Sequence, residues 1–448
     1  MLVYKRELDV RYRSDVLVVG GGPAGVAAAL AAARQGRSVR LIEAQSCLGG
    51  MGTAGLVPAF MDFTDGVNFL ADGIGREILD EVRAAGGAFT FRRSTGIRTE
   101  VLKRVYDRLL EDAGIPFTFH TQLVDVTVEE GEVCEAICAG RSKLFALRAA
   151  VFVDCTGDGD MAALAGAPYE KGDGAGKMQP GTLCSLWSGI DWEVVEASKT
   201  AGMGNHRIAE AFDDGVLTVE DLHLVGIWRV GATLGGGNVG HTFGLDGTDE
   251  ESLTEAYVWA RKILPQYELY YKTYRQGFEE MELAVTGSLM GVRESRRILG
   301  DYVLSVDDFR ERAVFDDEIG RFSYPVDLHP TGPDQGAYEE YRRKWTGLRH
   351  EDGESYGIPY RALTPRGLRN VLVAGRCVST DRSMQGSIRV TPGCYITGQA
   401  AGVAAAMSVQ AGANTRGIDI SELQARLRRL GAYLPNVVFD TTECESLC

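Results

Sequence analysis

The first long apolar run, Val-Leu-Val-Val at 16–19, is continuous rather than alternating. A run of that kind predicts a strand buried on both faces, as in a parallel sheet. Six small residues follow, Gly20-Gly21-Gly22-Pro23-Ala24-Gly25, and then an alanine-rich stretch with no charge before Arg34, which predicts a tight turn into a buried helix. A second strand is expected at 38–42, ending on Glu43. Apolar spacing of three and four predicts a helix at 100–113, and alternation predicts strands across 117–147 with a turn at 129–133. A third apolar run ends in the turn Cys155-Thr156-Gly157-Asp158-Gly159-Asp160, and the aromatic-rich stretch 257–278 has the spacing of a helix with one buried stripe. Near the C-terminus the strand-then-glycine pattern returns in VLVAGRCVST, 371–380, followed by a polar stretch, the segment VTPGCYITG and an alanine-rich helix after it.

A chain of 448 residues is long enough for two or three packed domains. Its 56 glycines, against a usual share of about 7%, imply many tight turns or close approaches of backbone to a ligand. The net charge of -15 excludes a nucleic acid or an anionic membrane as partner. Nine cysteines include no CxxC, and the CxxxC spacings Cys134/Cys138 and Cys444/Cys448 lack histidine neighbours, so no metal site is expected. Free thiols in a reducing, cytoplasmic setting are the expected state. The charged N-terminus does not resemble a signal peptide. The uncharged stretches 16–33 and 390–415 are broken by Gly or Pro and rich in Ala, so no membrane span is expected.

Gly20, Gly22 and Gly25 fit GxGxxG: the first allows the turn, the second a close approach to a pyrophosphate, the third close packing of helix on strand. The free N–H groups and positive dipole end of the helix suit phosphate, and Glu43 suits a ribose diol. This motif alone leaves NAD and FAD open. The second small-residue run, CLGGMGTAGLV from Cys47, allows a further backbone approach, as a cofactor extending past its pyrophosphate needs.

The three-part arrangement resembles the FAD-binding half of glutathione-reductase-type flavoproteins. CLGGMGTAGLV, CTGDGDMAALAGAPY, GVRESRRILGDYVLS, YGIPYRALTP and NVLVAGRCVST occur together in the bacterial FAD-dependent oxidoreductases, which are similar to fumarate reductase and succinate dehydrogenase flavoproteins. The resemblance spans most of residues 14–410. It implies an α/β fold: a Rossmann-like FAD-binding domain, with a central parallel sheet and a three-stranded β-meander, and an inserted α+β substrate domain. The expected parts are 1–165 and 356–415 for FAD, 166–355 for substrate, and 416–448 for a C-terminal helix and tail. Noncovalent FAD would contact Gly20, Gly22, Pro23, Ala24 and Gly25 at its pyrophosphate and Glu43 and Ala44 beyond them. Gly49, Gly50, Met51, Gly52, Leu123, Val124, Thr156, Gly157 and Asp158 are further contacts. Gly375 and Arg376 would pass the ribityl chain, and Thr391 and Gly393 would meet the flavin ring. Arg376 stands where relatives often carry Asp, so Asp158 or Asp381 would take over that contact. Cys47 is a candidate tether, with a buried thiol as the alternative.

For chemistry, Arg293, Arg296 and Arg297 fall at helical offsets, and Arg293 follows a small-residue approach that would admit a ligand. His241 follows a triple glycine and His329 lies in an extended segment; either can serve as acid or base, or be an ordinary bonded histidine. Tyr360 is a candidate proton donor, with Tyr356 and Arg361 beside it. The leading expectation is hydride exchange between a small polar substrate and flavin N5, with oxidation of a hydroxy compound favoured. A fumarate-reductase-like alkene reductase is the nearest alternative, and a non-catalytic flavin redox sensor or complex subunit the more distant one. The C-terminal ECESLC is a candidate partner contact for that last version, and a homo-oligomer or an electron-acceptor protein is a further possible partner.

Overall fold

The computed structural model describes residues 2–91, 94–198 and 206–437, so Cys444, Cys448 and the ECESLC segment lie outside the described residues. The run at 16–19 is the buried end of a longer strand, Val10–Val19. Five parallel strands lie in the order Phe117–Thr118, Val39–Ile42, Val10–Val19, Leu144–Asp154 and Val371–Val373. Leu144–Asp154 changes partners along its length. Its start pairs antiparallel with Glu132–Ala139, which pairs with Gln122–Glu129, while its end pairs with Val371–Val373. Those three antiparallel strands are the meander expected from the alternation.

Two alanine-rich helices, Pro23–Arg34 and Thr391–Gln410, cover the sheet and are buried nearly throughout. They touch backbone to backbone. A Cβ on Gly398 would stand 2.2 Å from Ala24 O, and one on Gly402 would stand 2.2 Å from Ala28 O. This mutual burial explains why both segments lack charge. Among the described residues no helix is long and apolar enough to cross a membrane.

The structure corrects two expectations. The long helix starts at Thr391, inside VTPGCYITG rather than after it, because Pro near a helix start sacrifices no hydrogen bond and supplies a helical φ. A separate short helix, Arg382–Ile388, precedes it. The arginines of GVRESRR are not on a helix. Residues 296–298 form a strand paired with Tyr169–Lys171, and Gly291 bridges to Thr182. Pairing with sheet partners overrides the local spacing there.

A second hydrophobic core, from Leu183 to Val292, lies beside the first. It joins a four-stranded sheet (Gly226–Arg229, Gly235–Asn238, Ser185–Ser188, Glu282–Thr286) to the helix Glu250–Tyr274. The aromatics of that helix, Tyr267, Tyr270, Tyr271 and Tyr274, are core residues. From Leu304 to Leu363 the buried side chains return to the first core. The loop after Glu43 wedges between the two cores: Ser288 N donates to Ala54 O at 2.8 Å, and a Cβ on Gly236 would stand 2.4 Å from Pro58. The triple glycine is thus a strand pressed against protein.

Candidate functional site

The first turn has the geometry its glycines require. Gly20 takes φ +95°, and a Cβ on Gly25 would stand 1.9 Å from Gly20 O, so helix and turn close on each other. A Cβ on Gly22 would meet no atom within 4 Å, so the front of the turn is open. Pro23 and Ala24 begin the helix, and Gly22 offers no side-chain cap, which leaves the first N–H groups facing that open side. Helices beginning after Asp249, Asp334, Asp381 and Asp419 are instead capped by those carboxylates. Glu43, 8% exposed, accepts from Gly21 N and Gln45 N, both at 2.7 Å. Burial raises its pKa, against these backbone donors.

Around this turn the other expected contacts converge. Gly49 N donates to Gly21 O at 2.8 Å, and a Cβ on Gly50 would stand 3.3 Å from the Gly22 Cα. Met51 and Gly52 continue this loop in a 3-10 turn. Ala44 lies between Glu43 and Gln45, whose backbone pairs with Thr118, His120 and Thr121; Leu123 and Val124 follow at the head of the meander. Thr156 N and Thr156 Oγ1 donate to fully buried Asp154 at 3.0 and 2.7 Å, which fixes the third turn.

The second glycine turn meets the first. Gly375 has φ +88°, and a Cβ there would stand 3.1 Å from the Ala24 Cβ. Arg376 is a clamp: Nε donates to Gly157 O at 3.0 Å, Nη1 to Val292 O at 2.5 Å, and Nη2 to Asp158 Oδ1. Asp158 also accepts from Ser295 Oγ at 2.5 Å. Asp381 has both oxygens engaged, one capping its helix through Met384 N at 2.6 Å and the other accepting from Val306 N at 2.8 Å. Thr391 and Gly393 lie in the first turn of the long helix, which has no side-chain cap.

From this turn the chain runs into a buried polar cluster. His241 Nε2 lies 2.8 Å from His329 Nδ1. His241 Nδ1 is 2.9 Å from Asp221 Oδ2, and His329 Nε2 is 3.5 Å from Asp327 Oδ1. His223 stacks parallel to His241 with centroids 5.6 Å apart. Asp327 pairs with Arg389 at 3.1 Å, two residues before Thr391. Arg293, 7% exposed, donates to Pro180 O at 2.8 Å, Thr182 Oγ1 at 3.0 Å and Asn238 Oδ1 at 3.0 Å. Among the described residues it belongs to no ion pair, whereas Arg297 and Arg382 pair with Glu294.

Electrostatics follow from burial. Burial, reinforced by Arg389, lowers the Arg293 pKa to about 10. Burial and Arg293 hold His329 well below its ordinary value, against the pull of Asp327. Burial alone would raise Asp327, but His329, Arg389 and Arg293 hold it well below the usual carboxylate range. Burial also works against Asp221, yet His241 and backbone donors keep it low. Burial and His241 lower His223 to about 4.

Tyr360 stands apart from this cluster. Its hydroxyl donates to Thr415 O at 2.6 Å, and its backbone N–H to Asp317 O at 2.8 Å, which are contacts of a buried structural tyrosine. Arg361 pairs with Asp317 and Tyr356 with Ser387. The buried Cys47 thiol lies 3.7 Å from Thr53 Oγ1, and burial raises its pKa.

Asp221, His223, Asp327 and Arg389 were not among the expected residues. A signal for three of them was present: Asp-Leu-His occurs twice, at 221–223 and 327–329.

The segment 379–389 also carries buried polar atoms with no partner among the described residues: Ser379 Oγ, Thr380 Oγ1, Arg382 Nη2, Gln385 Oε1 and Arg389 Nε. Buried polar groups are nearly always bonded, so such a concentration fits a polar ligand along this segment. With the open front of Gly22, it fits a long dinucleotide cofactor.

Comparison with known proteins gives a family. Over residues 15–427 the chain matches the family described as FAD dependent oxidoreductase. A digeranylgeranylglycerophospholipid reductase from Methanocella arvoryzae is 30% identical over 158 residues, 32% of this chain and 39% of that protein. The alignment thus spans about two fifths of that relative's length. The chain is similar to a geranylgeranyl bacteriochlorophyll reductase-like protein from Thermoplasma acidophilum (12% identity, TM-score 0.47, covering 94% of this chain and 82% of that one). It is also similar to p-nitrophenol 4-monooxygenase from Pseudomonas putida (13% identity, TM-score 0.49, covering 96% and 91%). With the family match spanning nearly the whole chain, this protein belongs to the FAD-dependent oxidoreductases.

Proposed function

We propose that the protein exchanges a hydride between a small hydroxy compound and flavin N5, with the His241–His329 pair handling the accompanying proton. Bound FAD supplies the two-electron hydride chemistry. Gly20, Gly22, Pro23, Ala24 and Gly25 would hold the pyrophosphate, and Gly375, beside the Asp158–Arg376 pair, would hold the ribityl chain. The helix start at Thr391 and Gly393 would hold the flavin ring, its positive dipole end favouring negative charge there. The buried, protonated Cys47 thiol supports noncovalent attachment.

The observation that carries this reading is the bond from Arg376 to Val292 O, which ties the second turn to the residue next to Arg293. Cofactor turn and buried cation are thereby adjacent, and the Arg293 charge acts on His329 and Asp327. Arg293 orients an oxygen of the substrate, since its guanidinium forms no ion pair among the described residues and donates only to neutral oxygens. A dicarboxylate-binding alkene reductase, like the fumarate reductases that the motifs resemble, needs two or more positive groups free for substrate. The charges of Arg389, Arg382 and Arg297 are paired with Asp327 and Glu294, although Arg389 Nε and Arg382 Nη2 keep free donors, which favours a substrate with fewer negative charges than a dicarboxylate.

The test is anaerobic mixing of the yellow holoenzyme with panels of hydroxy compounds and of unsaturated acids. Bleaching of the flavin band by a hydroxy compound, lost in Arg293→Met with flavin content retained, is the expected result. Reoxidation of reduced enzyme by an unsaturated acid, with no bleaching by any hydroxy compound, would favour the alkene reductase instead.

A further inference from the structure

Arg13, Arg37 and Arg40 line one cavity of about 290 Å³ at the end of the central sheet away from the first glycine turn. The helix between them sets the separation. Pro23–Arg34 starts at that turn and ends three residues before Arg37, and its twelve residues span about 18 Å. The cavity is therefore a place apart from the cofactor turn, with a volume near the lower bound of roughly 300 Å³ for small-molecule sites.

Local structure puts the arginines there. Gly36 takes φ +76°, which ends the helix and turns the chain into the strand Val39–Ile42, so Arg37 stands just before that strand and Arg40 within it. Arg13 comes from the neighbouring strand, whose Val16 pairs with Val39. Gly114, φ +66°, ends the helix Thr99–Asp112 in the same way and lines the cavity too. A Cβ on Gly36 or Gly114 would meet no atom within 4 Å, so the mouth is open at both.

The charges do not balance. Arg37 Nε is buried and has no hydrogen-bond partner among the described residues, an arrangement that buried donors rarely show. The Arg40 guanidinium lies 3.7 Å from the centre of the Tyr12 ring, and Arg11 lies 5.1 Å from the same centre. Burial, reinforced by Arg11, lowers the Arg40 pKa, with only Tyr12 acting against them. Glu135, which feels the Arg13 charge, pairs with Arg148 at 2.5 Å. Asp15 accepts the backbone N–H of Ser38 at 2.9 Å, and Asp112 is exposed, where solvent screens it. The two helix ends carry about half a negative charge each, and their last carbonyls already accept from Gly36 N and Gly114 N. Four arginines against one carboxylate and two helix ends leave an excess of about two positive charges.

We propose that this cavity binds the multiply charged phosphate group of a small diphosphate-bearing molecule. Guanidinium forks match phosphate oxygens, and a monocarboxylate would leave part of the excess unmet.

Calorimetric titration of the FAD-loaded protein with inorganic pyrophosphate and with adenosine diphosphate tests it. Salt of about 0.1 M screens the acidic surface beyond about 10 Å. The expected result is saturable binding of one probe molecule per chain with the flavin spectrum unchanged. Arg37→Gln and Arg40→Gln should each weaken it about tenfold or more, since each removes charge-assisted donors, at unchanged flavin content and melting temperature. Arg310→Gln, which removes an exposed arginine paired with Asp307, should leave it unchanged. Affinity for pyrophosphate equal to or above that for adenosine diphosphate supports a site for the phosphate group alone, and tighter adenosine diphosphate supports a nucleotide site. No saturable binding by the wild type, or binding that both cavity variants keep at full strength, would overturn the proposal.

Discussion

At Gly22 a methyl group would touch nothing, whereas at Gly25 it would stand 1.9 Å from a backbone oxygen. The two glycines of one motif therefore have separable duties. Gly22→Ala should leave the melting temperature of cofactor-free protein within about 1 °C, since a change without new contacts costs little. It should weaken FAD binding about tenfold or more, close to 1.4 kcal/mol, by filling the space before the pyrophosphate. Gly25→Ala should lower the melting temperature itself; equal melting in calorimetry of the two variants would contradict the assignment. The histidine cluster gives a second residue-scale expectation. His223 faces His241, His329, Asp221, Asp327, Arg293 and Tyr341, and burial lowers its pKa to about 4. Its folded value is below the unfolded one near 6.5, so the unfolded chain binds the extra proton between those values. Stability should fall as pH drops from about 6.5 to 4, by at most about 3 kcal/mol from this group. His223→Gln should flatten that part of the pH profile in denaturant melts, and an unchanged profile would count against it. At this scale the sequence was readable where a residue type has one job, as with Gly20, Gly25 and Glu43. It was less so where chemistry depends on distant partners: nothing local says that His241 and His329, 88 positions apart, share a hydrogen bond, or that Tyr360 is tied to Thr415.

Between elements, the contact that sets the site is the crossing of Pro23–Arg34 with Thr391–Gln410. Gly398 and Gly402 let the two backbones touch, and Gly375 meets Ala24, which sets the second glycine turn beside the start of the first helix. Gly402→Ala forces the helices apart and should cost about 1–3 kcal/mol, as overpacking of a filled interior does. It should also loosen FAD, since it shifts the helix expected to face the pyrophosphate against the helix expected to face the flavin ring. A urea melt combined with a flavin-release assay checks both, and a loss of stability with flavin affinity intact would uncouple the crossing from the cofactor. Buried strands and charge-free helices were legible because continuous apolar runs allow few other states. The segment 291–298 was misread as helical because three arginines at offsets of three and four resemble one helix face. Its true partners, the Tyr169–Lys171 strand and Thr182, lie more than a hundred residues away, and tertiary pairing overrode local spacing.

Of the three hydrophobic cores, the first and second meet along a polar seam. The loop after Glu43, the Arg376 clamp and the segment from Arg382 to Arg389 all lie on it, and the His241–His329 pair spans it. Asp221 and His241 come from the part of the chain that forms the second core; Asp327, His329 and Arg389 come from segments packed on the first. A seam of this kind suits a cofactor held by one core and a substrate held by the other. In a chain of net charge -15 this seam holds buried Arg293 and partly buried Arg389. The central claim is that the flavin ring and the His241–His329 pair face each other across this seam. A crystal structure of the FAD complex measures it directly. The ring is expected at the start of the Thr391–Gln410 helix, with the His241–His329 pair and Arg293 facing N5 across a gap that a small substrate fills. A ring whose N5 face is turned away from His329, or one bound at the far side of the Arg376 clamp, would contradict it.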